Sequence, residues 1–357
     1  MSKKISVSTS KEEKKYLEHV KKYPEQVIMA HKDSQQEGFE YFESDQFSQN
    51  NSKYGSLIMD KFLGIGLKNI PKMIKIIAKY MPSMFRGKKE CFTDLSEYLE
   101  QLDKNGHIKM TKQEKKLIES YPNKELWNKL KDYAWENWNV IIGFTELPEK
   151  LIFKGKAVLF KYAIVCIQEM DKEKIDKAPS LDAGEEVQRV YNSLGLAVND
   201  IANWLRENYG IACQSNHPLG GLVNTTPLAG KAGMGWQGHN GLLITPQFGQ
   251  RQRIAPIFIR SKLFEFTDNR KHVWIEDFCN ICRKCEKSCP TQAIYSKKKT
   301  SIKNVSSLGQ TRTCIDRNKC YPQFNKTLGC SICMKVCPFS QGDNSYYKIK
   351  EKFNKKW

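Results

Sequence analysis

The chain has 357 residues, a mean hydropathy of −0.59 and a formal net charge of +19. Its length suits one large domain or two to three smaller ones. The hydropathy and the lack of an apolar run long enough to span a bilayer argue against an integral membrane protein. The basic balance favours acidic partners such as nucleic acid, an anionic membrane surface or an acidic electron donor.

The first part of the chain, residues 1–137, is predicted to be a helical N-terminal region. It has neither an apolar signal core nor a twin-arginine pair, so the sequence predicts a cytoplasmic protein. Within it, residues 59–86 alternate apolar residues with lysines at helical spacing, and Ile70, Ile74, Ile77 and Met81 can share a face. Such a helix can dock on a partner or on the inner membrane face, but packing on its own domain is favoured.

Residues 138–270 are predicted to form an α/β domain, and a domain that takes in part of the N-terminal region is an alternative. The segments 139–147, 157–170 and 253–259 are rich in Val, Ile and aromatic residues and indicate strands. Apolar residues recur at helical spacing over 182–209, which predicts a helix. The glycine-rich stretch between them is a long connection that contains a short strand at 241–245.

Residues 271–342 carry closely spaced cysteines, and residues 343–357 form a basic tail. The first motif is C-x2-C-x2-C-x3-C-P, the spacing of the two-cluster ferredoxins, in which the fourth cysteine ligates the other cluster. The second motif also ends in C-x3-C-P. We therefore predict two [4Fe–4S] clusters. The first would be bound by Cys279, Cys282, Cys285 and Cys337, and the second by Cys289, Cys320, Cys330 and Cys333.

Other interpretations of the cysteines are weaker. Disulfides do not fit a predicted cytoplasmic protein with such regular spacing. Structural zinc uses C-x2-C pairs but does not account for two C-x3-C-P endings. Cys314 could replace Cys320 as a ligand, although the spacing to Cys330 favours Cys320.

The run AGMGWQGHNGLLITPQFGQRQRIAPIFI, followed by both cysteine motifs, resembles the corrinoid-dependent reductive dehalogenases and epoxyqueuosine reductases. The resemblance covers roughly residues 140–340. It implies an α/β (α+β) fold: a nitroreductase-like corrinoid-binding domain fused to a ferredoxin-like module with two [4Fe–4S] clusters. It also implies a cobalamin, with electrons passing through the clusters to cobalt from a donor such as reduced ferredoxin or flavodoxin.

The glycine-rich run would hold the cobalamin. Its glycines lack a Cβ atom and permit close approach of a corrin, while its polar and aromatic side chains could bond the corrin amides or stack on the ring. The residues are Gly233, Gly235, Trp236, Gln237, Gly238, Asn240, Gly241 and Thr245. No D-x-H-x-x-G motif is present, since residue 215 is Ser where His217 would need an Asp. This fits a base-off cobalamin with no protein ligand.

The proton donor is implied by the same resemblance. Tyr191 occupies the place of the dehalogenase tyrosine, and such a weak acid needs a neighbouring cation or the charge of the reduced cofactor. Asn224 stands where the epoxyqueuosine reductases have an aspartate, and an amide cannot donate a titrating proton. His217 and His239 flank the same loop and could donate near neutral pH.

The sequence thus predicts an oxidoreductase that cleaves a carbon–halogen or other carbon–heteroatom bond of a small molecule. Epoxyqueuosine reduction in tRNA is the alternative, which the basic charge suits and Asn224 disfavours. A non-catalytic electron carrier or a reductive activator of another corrinoid protein is a third interpretation. A homodimer and peripheral contact with the inner membrane face through 59–86 also stay open.

Overall fold

The structure is a computed structural model that describes residues 29–30, 69–100, 108–152, 157–219, 221–267, 270–300 and 312–356. Its helices are α1 (Ile70–Glu100), α2 (Lys112–Glu119), α3 (Lys124–Trp138), α4 (Lys172–Ile175), α5 (Leu181–Tyr209), α6 (Thr225–Lys231), α7 (Trp274–Cys282), α8 (Lys284–Lys287), α9 (Arg317–Lys326), α10 (Ile332–Lys335) and α11 (Ser345–Lys356). Its strands are β1 (Met29–Ala30), β2 (Val140–Glu146), β3 (Ala157–Val158), β4 (Tyr162–Glu169), β5 (Cys213–Ser215), β6 (Trp236–Gln237), β7 (Leu243–Ile244), β8 (Gln252–Ile259), β9 (Ile294–Thr300) and β10 (Arg312–Ile315). Short 3₁₀ helices lie at Glu149–Leu151, Arg270–His272 and Pro338–Ser340.

The body of the molecule is an antiparallel sheet with the strand order β2-β4-β8-β5. Its central strands bury both faces, because successive side chains of a strand point to opposite sides. In β4, Val165 and Ile167 enter one apolar core, whereas Ile164 and Cys166 enter the other. The strands predicted from β-branched and aromatic residues are confirmed, as is the mixed α/β (α+β) fold.

Helix α5 packs along one face of this sheet and confirms the predicted helix. Ser180 caps its N-terminus by accepting a hydrogen bond from the Ala183 amide, and Gly210 ends it at φ 61°. Its side chains at helical spacing are fully buried, and each contributes about 1.5–3 kcal/mol through burial. These side chains include Val187, Val190, Leu194, Val198, Ile201 and Leu205.

Helix α1 packs on α5, as favoured above, but with a different face from the predicted one. Met73, Ile76 and Met84 are buried, whereas Ile74 and Ile77 are exposed. Lys72 and Lys79 pair with Asp182 and Glu185 of α5. Residues 59–68 of the predicted helix lie outside the described residues. No helix in the described part of the chain is long and apolar enough to cross a membrane.

The cysteine module packs against β6 and β7, and the C-terminal tail is part of it. Tyr346 of α11 is buried beside Phe339 and stacks edge-on against Trp274. Its hydroxyl also bonds the buried His272 at 2.7 Å. The predicted limits of the domains stay predictions, but residues on both sides of position 342 share one apolar core.

Candidate cluster sites and active-site cleft

The first cluster site is a small cavity lined by Cys279, Cys282, Cys285 and Cys337. Helix α7 ends at Cys282, and Arg283 then turns the chain at φ 49° into α8, so the three nearby cysteines converge. Burial raises the pKa of Cys285 to about 12, and the neighbouring Cys279 raises it further. Burial also raises the pKa of Cys337 well above its ordinary value. A thiol with a raised pKa loses its proton only when a nearby positive charge, such as that of bound iron, stabilises the thiolate.

The second cluster site combines cysteines from both motifs. Burial raises the pKa of Cys333 to about 12, with further contributions from Cys320, Cys285 and Cys330. Cys330 in turn interacts with Cys289 of the first motif. The grouping follows the predicted exchange of the fourth cysteine between motifs. Within the described residues no three His, Cys, Asp or Glu side chains are arranged to share one metal ion, which a cluster does not require, since each thiolate binds a different iron.

Cys314 occupies a different position from Cys320. It lies in β10 and is buried. A Cβ atom placed on Gly241 would lie 3.1 Å from the Cβ of Cys314. Gly241 has φ +83°, a conformation that favours glycine. Cys320 lies in α9 and interacts with Cys333. This geometry agrees with the choice of Cys320 as the ligand, which stays a prediction.

Two of the predicted catalytic residues, Tyr191 and Asn224, line one open cleft of about 250 Å³. Tyr191 projects from α5. Asn224 directly precedes α6, and its backbone N–H donates to the carbonyl of Leu151 at 2.8 Å. Both elements pack on the sheet, so a rigid scaffold positions the two side chains. The remaining wall mixes amides, hydroxyls and apolar groups. It includes Asn216, Thr225, Thr226, Leu242, Leu243, Gln250, Gln252 and Ile254.

Arg253 is a cleft residue that sequence reasoning missed. Its guanidinium lies 4.5 Å from the centre of the Tyr191 ring, within the range of a cation–π interaction. Its Nε is buried without a hydrogen-bond partner among the described residues. An arginine inside the otherwise apolar strand RIAPIFI was the available signal, because a charged residue there must face a cleft or a partner. If Tyr191 is the acid, as predicted, Arg253 is the cation next to it.

His217 does not fit the expected role of a donor near neutral pH. Burial lowers its pKa to about 4, with Lys88 adding to the shift. Its Nδ1 accepts from the Leu219 amide at 3.1 Å, which leaves the proton on Nε2. A Cβ on Gly195 would lie 2.0 Å from that Nε2, and Gly87 packs nearby. His217 is therefore a neutral histidine that fills the space between α1 and α5.

His239 does not line the cleft that contains Tyr191 and Asn224. It lines the first cluster site, and its Nε2 lies 2.8 Å from Glu286, which also binds Arg283. His239 is buried, and Tyr191 and Asn224 are not among the residues of that cavity. His239 therefore lies beside the predicted first cluster and is not among the residues that line the cleft.

The glycines of the predicted corrin loop are packed against the chain itself. A Cβ on Gly235 would lie 2.1 Å from the Ile244 carbonyl, and one on Gly238 would lie 2.6 Å from Gln250. Gly233 instead lines a separate cavity near His272. A role of these glycines in corrin binding stays a prediction, because their close contacts are explained by the fold of β6 and β7.

The polar residues of this loop are also engaged within the chain. The Trp236 indole donates to Glu276 at 3.4 Å, and the Gln237 amide donates to the carbonyl of Gly241 at 3.3 Å. Thr245 donates to Gln252 at 3.1 Å. Thr245 therefore supports a residue of the cleft wall, and its predicted contact with a corrin stays a prediction.

Comparisons with known proteins support the predicted cluster module and the predicted family. A model of a 4Fe-4S double cluster binding domain matches residues 278–340. The tetrachloroethene reductive dehalogenase of Desulfitobacterium hafniense is 31% identical over 199 residues, which are 53% of this chain and 34% of the relative. The epoxyqueuosine reductase of Listeria monocytogenes is 30% identical over 128 residues, which are 36% of this chain and 32% of the relative.

A solved reductive dehalogenase, studied for B12-dependent dehalogenation, shares the fold. It superposes with a TM-score of 0.50 at 20% identity, over 60% of this chain and 32% of that one. The chain spans about a third of the length of the curated relatives it matches. The residues matched by the double cluster model contain both cysteine motifs. The chain is therefore homologous over part of its length to reductive dehalogenases and epoxyqueuosine reductases, and its residues 278–340 match a 4Fe-4S double cluster binding domain.

Proposed function

We propose that the chain is a cobalamin- and iron–sulfur-dependent reductase that cleaves a carbon–halogen bond of a small organic molecule. The observation that carries the proposal is the meeting of Tyr191, Asn224 and Arg253 in one cleft. Reductive cleavage consumes two electrons and one proton and converts the carbon–halogen bond into a carbon–hydrogen bond and a halide ion. The cleft supplies the proton, and the cluster module supplies the electrons one at a time.

The lining of the cleft suits a corrin. A corrin has an apolar ring edged with amides, and the cleft wall offers both apolar side chains and hydrogen-bonding groups. The residues that would hold it are Asn216, Thr225, Thr226, Leu242, Gln252 and Ile254. The orphaned Nε of Arg253 also calls for an acceptor that a bound molecule would provide. When bound, cobalamin would supply a strongly reducing cobalt centre.

Tyr191 is the proposed general acid of the reaction. Its hydroxyl would donate the proton to the carbon from which the halide leaves. The Arg253 guanidinium would then stabilise the phenolate left behind, because opposite charges attract each other. Asn224 would orient the substrate with its amide, which can donate and accept hydrogen bonds but does not titrate.

The donor of electrons is proposed to be an acidic protein such as reduced ferredoxin or flavodoxin. The net charge of +19 favours an encounter with an acidic surface. The first cluster site shares Gln250 with the cleft, so electrons that arrive there have a short route to the reacting centre.

Epoxyqueuosine reduction in tRNA is the second candidate, because the basic charge also suits a nucleic acid. The cleft favours dehalogenation over this alternative. Position 224 holds an amide rather than a carboxylate, and the available acid is a tyrosine beside an arginine. An electron carrier without a substrate of its own would not need such a set of residues around a cleft.

The test uses the full chain, reconstituted anaerobically with iron, sulfide and hydroxocobalamin and reduced with titanium(III) citrate. Halide release is measured with tetrachloroethene and a panel of halogenated phenols, and product formation is measured with an epoxyqueuosine-containing tRNA stem loop. We expect halide from at least one halogenated compound and no queuosine. Queuosine formation without halide release would replace the proposal by the tRNA alternative.

A further inference from the structure

Two buried amides, Asn240 and Gln250, form a reciprocal pair between the cleft and the cysteine module. The Asn240 Nδ2 donates to Gln250 Oε1 at 2.9 Å, and the Gln250 Nε2 donates to Asn240 Oδ1 at 2.8 Å. Asn240 is 0% exposed and Gln250 is 3% exposed. Because each amide uses both its oxygen and its NH₂ group, the two side chains fix each other's orientation.

The same two residues also contact both cluster sites and the cleft. The Asn240 amide lowers the pKa of the Cys333 thiol, so it lies next to the second cluster site. Gln250 lines the first cluster site and, at the same time, the cleft. The Gln250 backbone amide donates to Ser340 Oγ at 3.1 Å, three residues after Cys337. One hydrogen-bonded unit thus touches both cluster sites and the proposed active site.

We propose that the Asn240–Gln250 pair is a positioning unit that sets the reduction potentials of the two clusters and fixes them relative to the cleft. The physical reason is that a reduced cluster carries more negative charge on its sulfur atoms than an oxidised one. An N–H group that bonds a ligating sulfur stabilises the reduced form and raises the potential. The inference rests on the two cluster sites and not on the substrate of the proposed function.

The test is a redox titration of the two cluster signals by electron paramagnetic resonance, on the full chain reconstituted without cobalamin. Cys333→Ser and Cys282→Ser variants assign each signal to its site. Asn240→Leu keeps a similar side-chain volume and removes the N–H group. We expect it to lower the potential of the Cys333 cluster more than that of the Cys282 cluster. Gln250→Leu removes the amide from the first cluster cavity, and we expect it to shift the Cys282 cluster.

The matched control is Gln252→Leu, which removes another buried amide from the cleft wall but none from the first cluster cavity. We expect it to leave both potentials at their wild-type values. Unchanged potentials in both the Asn240 and the Gln250 variants, with full iron content, would overturn the proposal. Equal shifts in the Gln252 control would overturn it as well. If Asn240→Leu loses iron, the cluster potentials of Gln250→Leu decide whether the proposal stands. Failure of the halide assay leaves these potentials unaffected, so the two proposals fail independently.

Discussion

The guanidinium of Arg253 lies 4.5 Å from the ring centre of Tyr191, although the two residues are 62 positions apart in the chain. Arg253 lies on β8 and Tyr191 on α5, the helix that packs across the sheet. The tyrosine that resembles the dehalogenase acid therefore has a cation beside it. The proposed role of Tyr191 as the general acid depends on this pair.

The first prediction concerns this cation. Arg253→Gln should reduce turnover about tenfold or more, because it removes the cation that would stabilise the developing Tyr191 phenolate, and a loss of about 1.4 kcal/mol in the transition state is a tenfold lower rate. The turnover of Arg253→Lys should lie between that of wild type and that of Arg253→Gln, since lysine retains the charge but not the planar guanidinium. Steady-state halide release measures the effect, with iron and cobalt content as controls. Wild-type turnover in Arg253→Gln would remove the arginine from the mechanism.

The second prediction concerns the cluster ligands. Wild-type protein should bind about eight iron and eight sulfide per chain after anaerobic reconstitution, as two [4Fe–4S] clusters require. Cys320→Ser should lower this content and Cys314→Ser should not, since Cys314 faces Gly241 rather than the second cluster site. Iron and sulfide analysis decides the question. The reverse result would reassign one ligand, and zinc in place of iron would refute both clusters.

The third prediction concerns His217. Its pKa of about 4 lies below the value of an exposed histidine, so the side chain stays neutral between about pH 5.5 and 8. His217→Gln should therefore lower the yield of folded protein, because the ring fills space beside Gly195, yet leave the shape of the pH–rate profile unchanged. Loss of one limb of that profile would show that His217 acts as an acid or base.

The fourth prediction concerns the outer face of α1. Ile74 and Phe85 are 52% and 59% exposed, and Ile77 lies on the same side beside a row of basic residues. We propose that this face binds anionic lipid, and the protein should sediment with phosphatidylglycerol vesicles at low salt. Serine at all three positions should abolish binding, whereas Ile118→Ser on α2 should not. Equal sedimentation of the triple variant would contradict the proposal.

Local periodicity and motif spacing account for what the sequence predicted correctly. Helix α5 repeats apolar residues every three to four positions, which predicts a helix. The strands β4 and β8 are largely apolar runs, which indicate buried strands. The cysteine spacing likewise encodes a module that is local in the chain. These features do not depend on which distant segments meet.

Long-range contacts account for what the sequence did not reveal. Helix α1 has two apolar stripes, and periodicity does not say that Met73 and Ile76, rather than Ile74 and Ile77, face α5. The partnership of Arg253 with Tyr191 depends on how α5 crosses β8. Gly238 looks like a place for a ligand in the sequence, but its missing Cβ makes room for Gln250.

The most direct test of the central claim is halide release by Tyr191→Phe compared with wild type, at equal iron and cobalt content. Phenylalanine keeps the ring and its contact with Arg253 and removes only the hydroxyl proton. Because a positioned general acid contributes about 10²–10⁴-fold, we predict at least a hundredfold loss with both clusters and the corrinoid retained. Wild-type turnover in Tyr191→Phe would contradict the account.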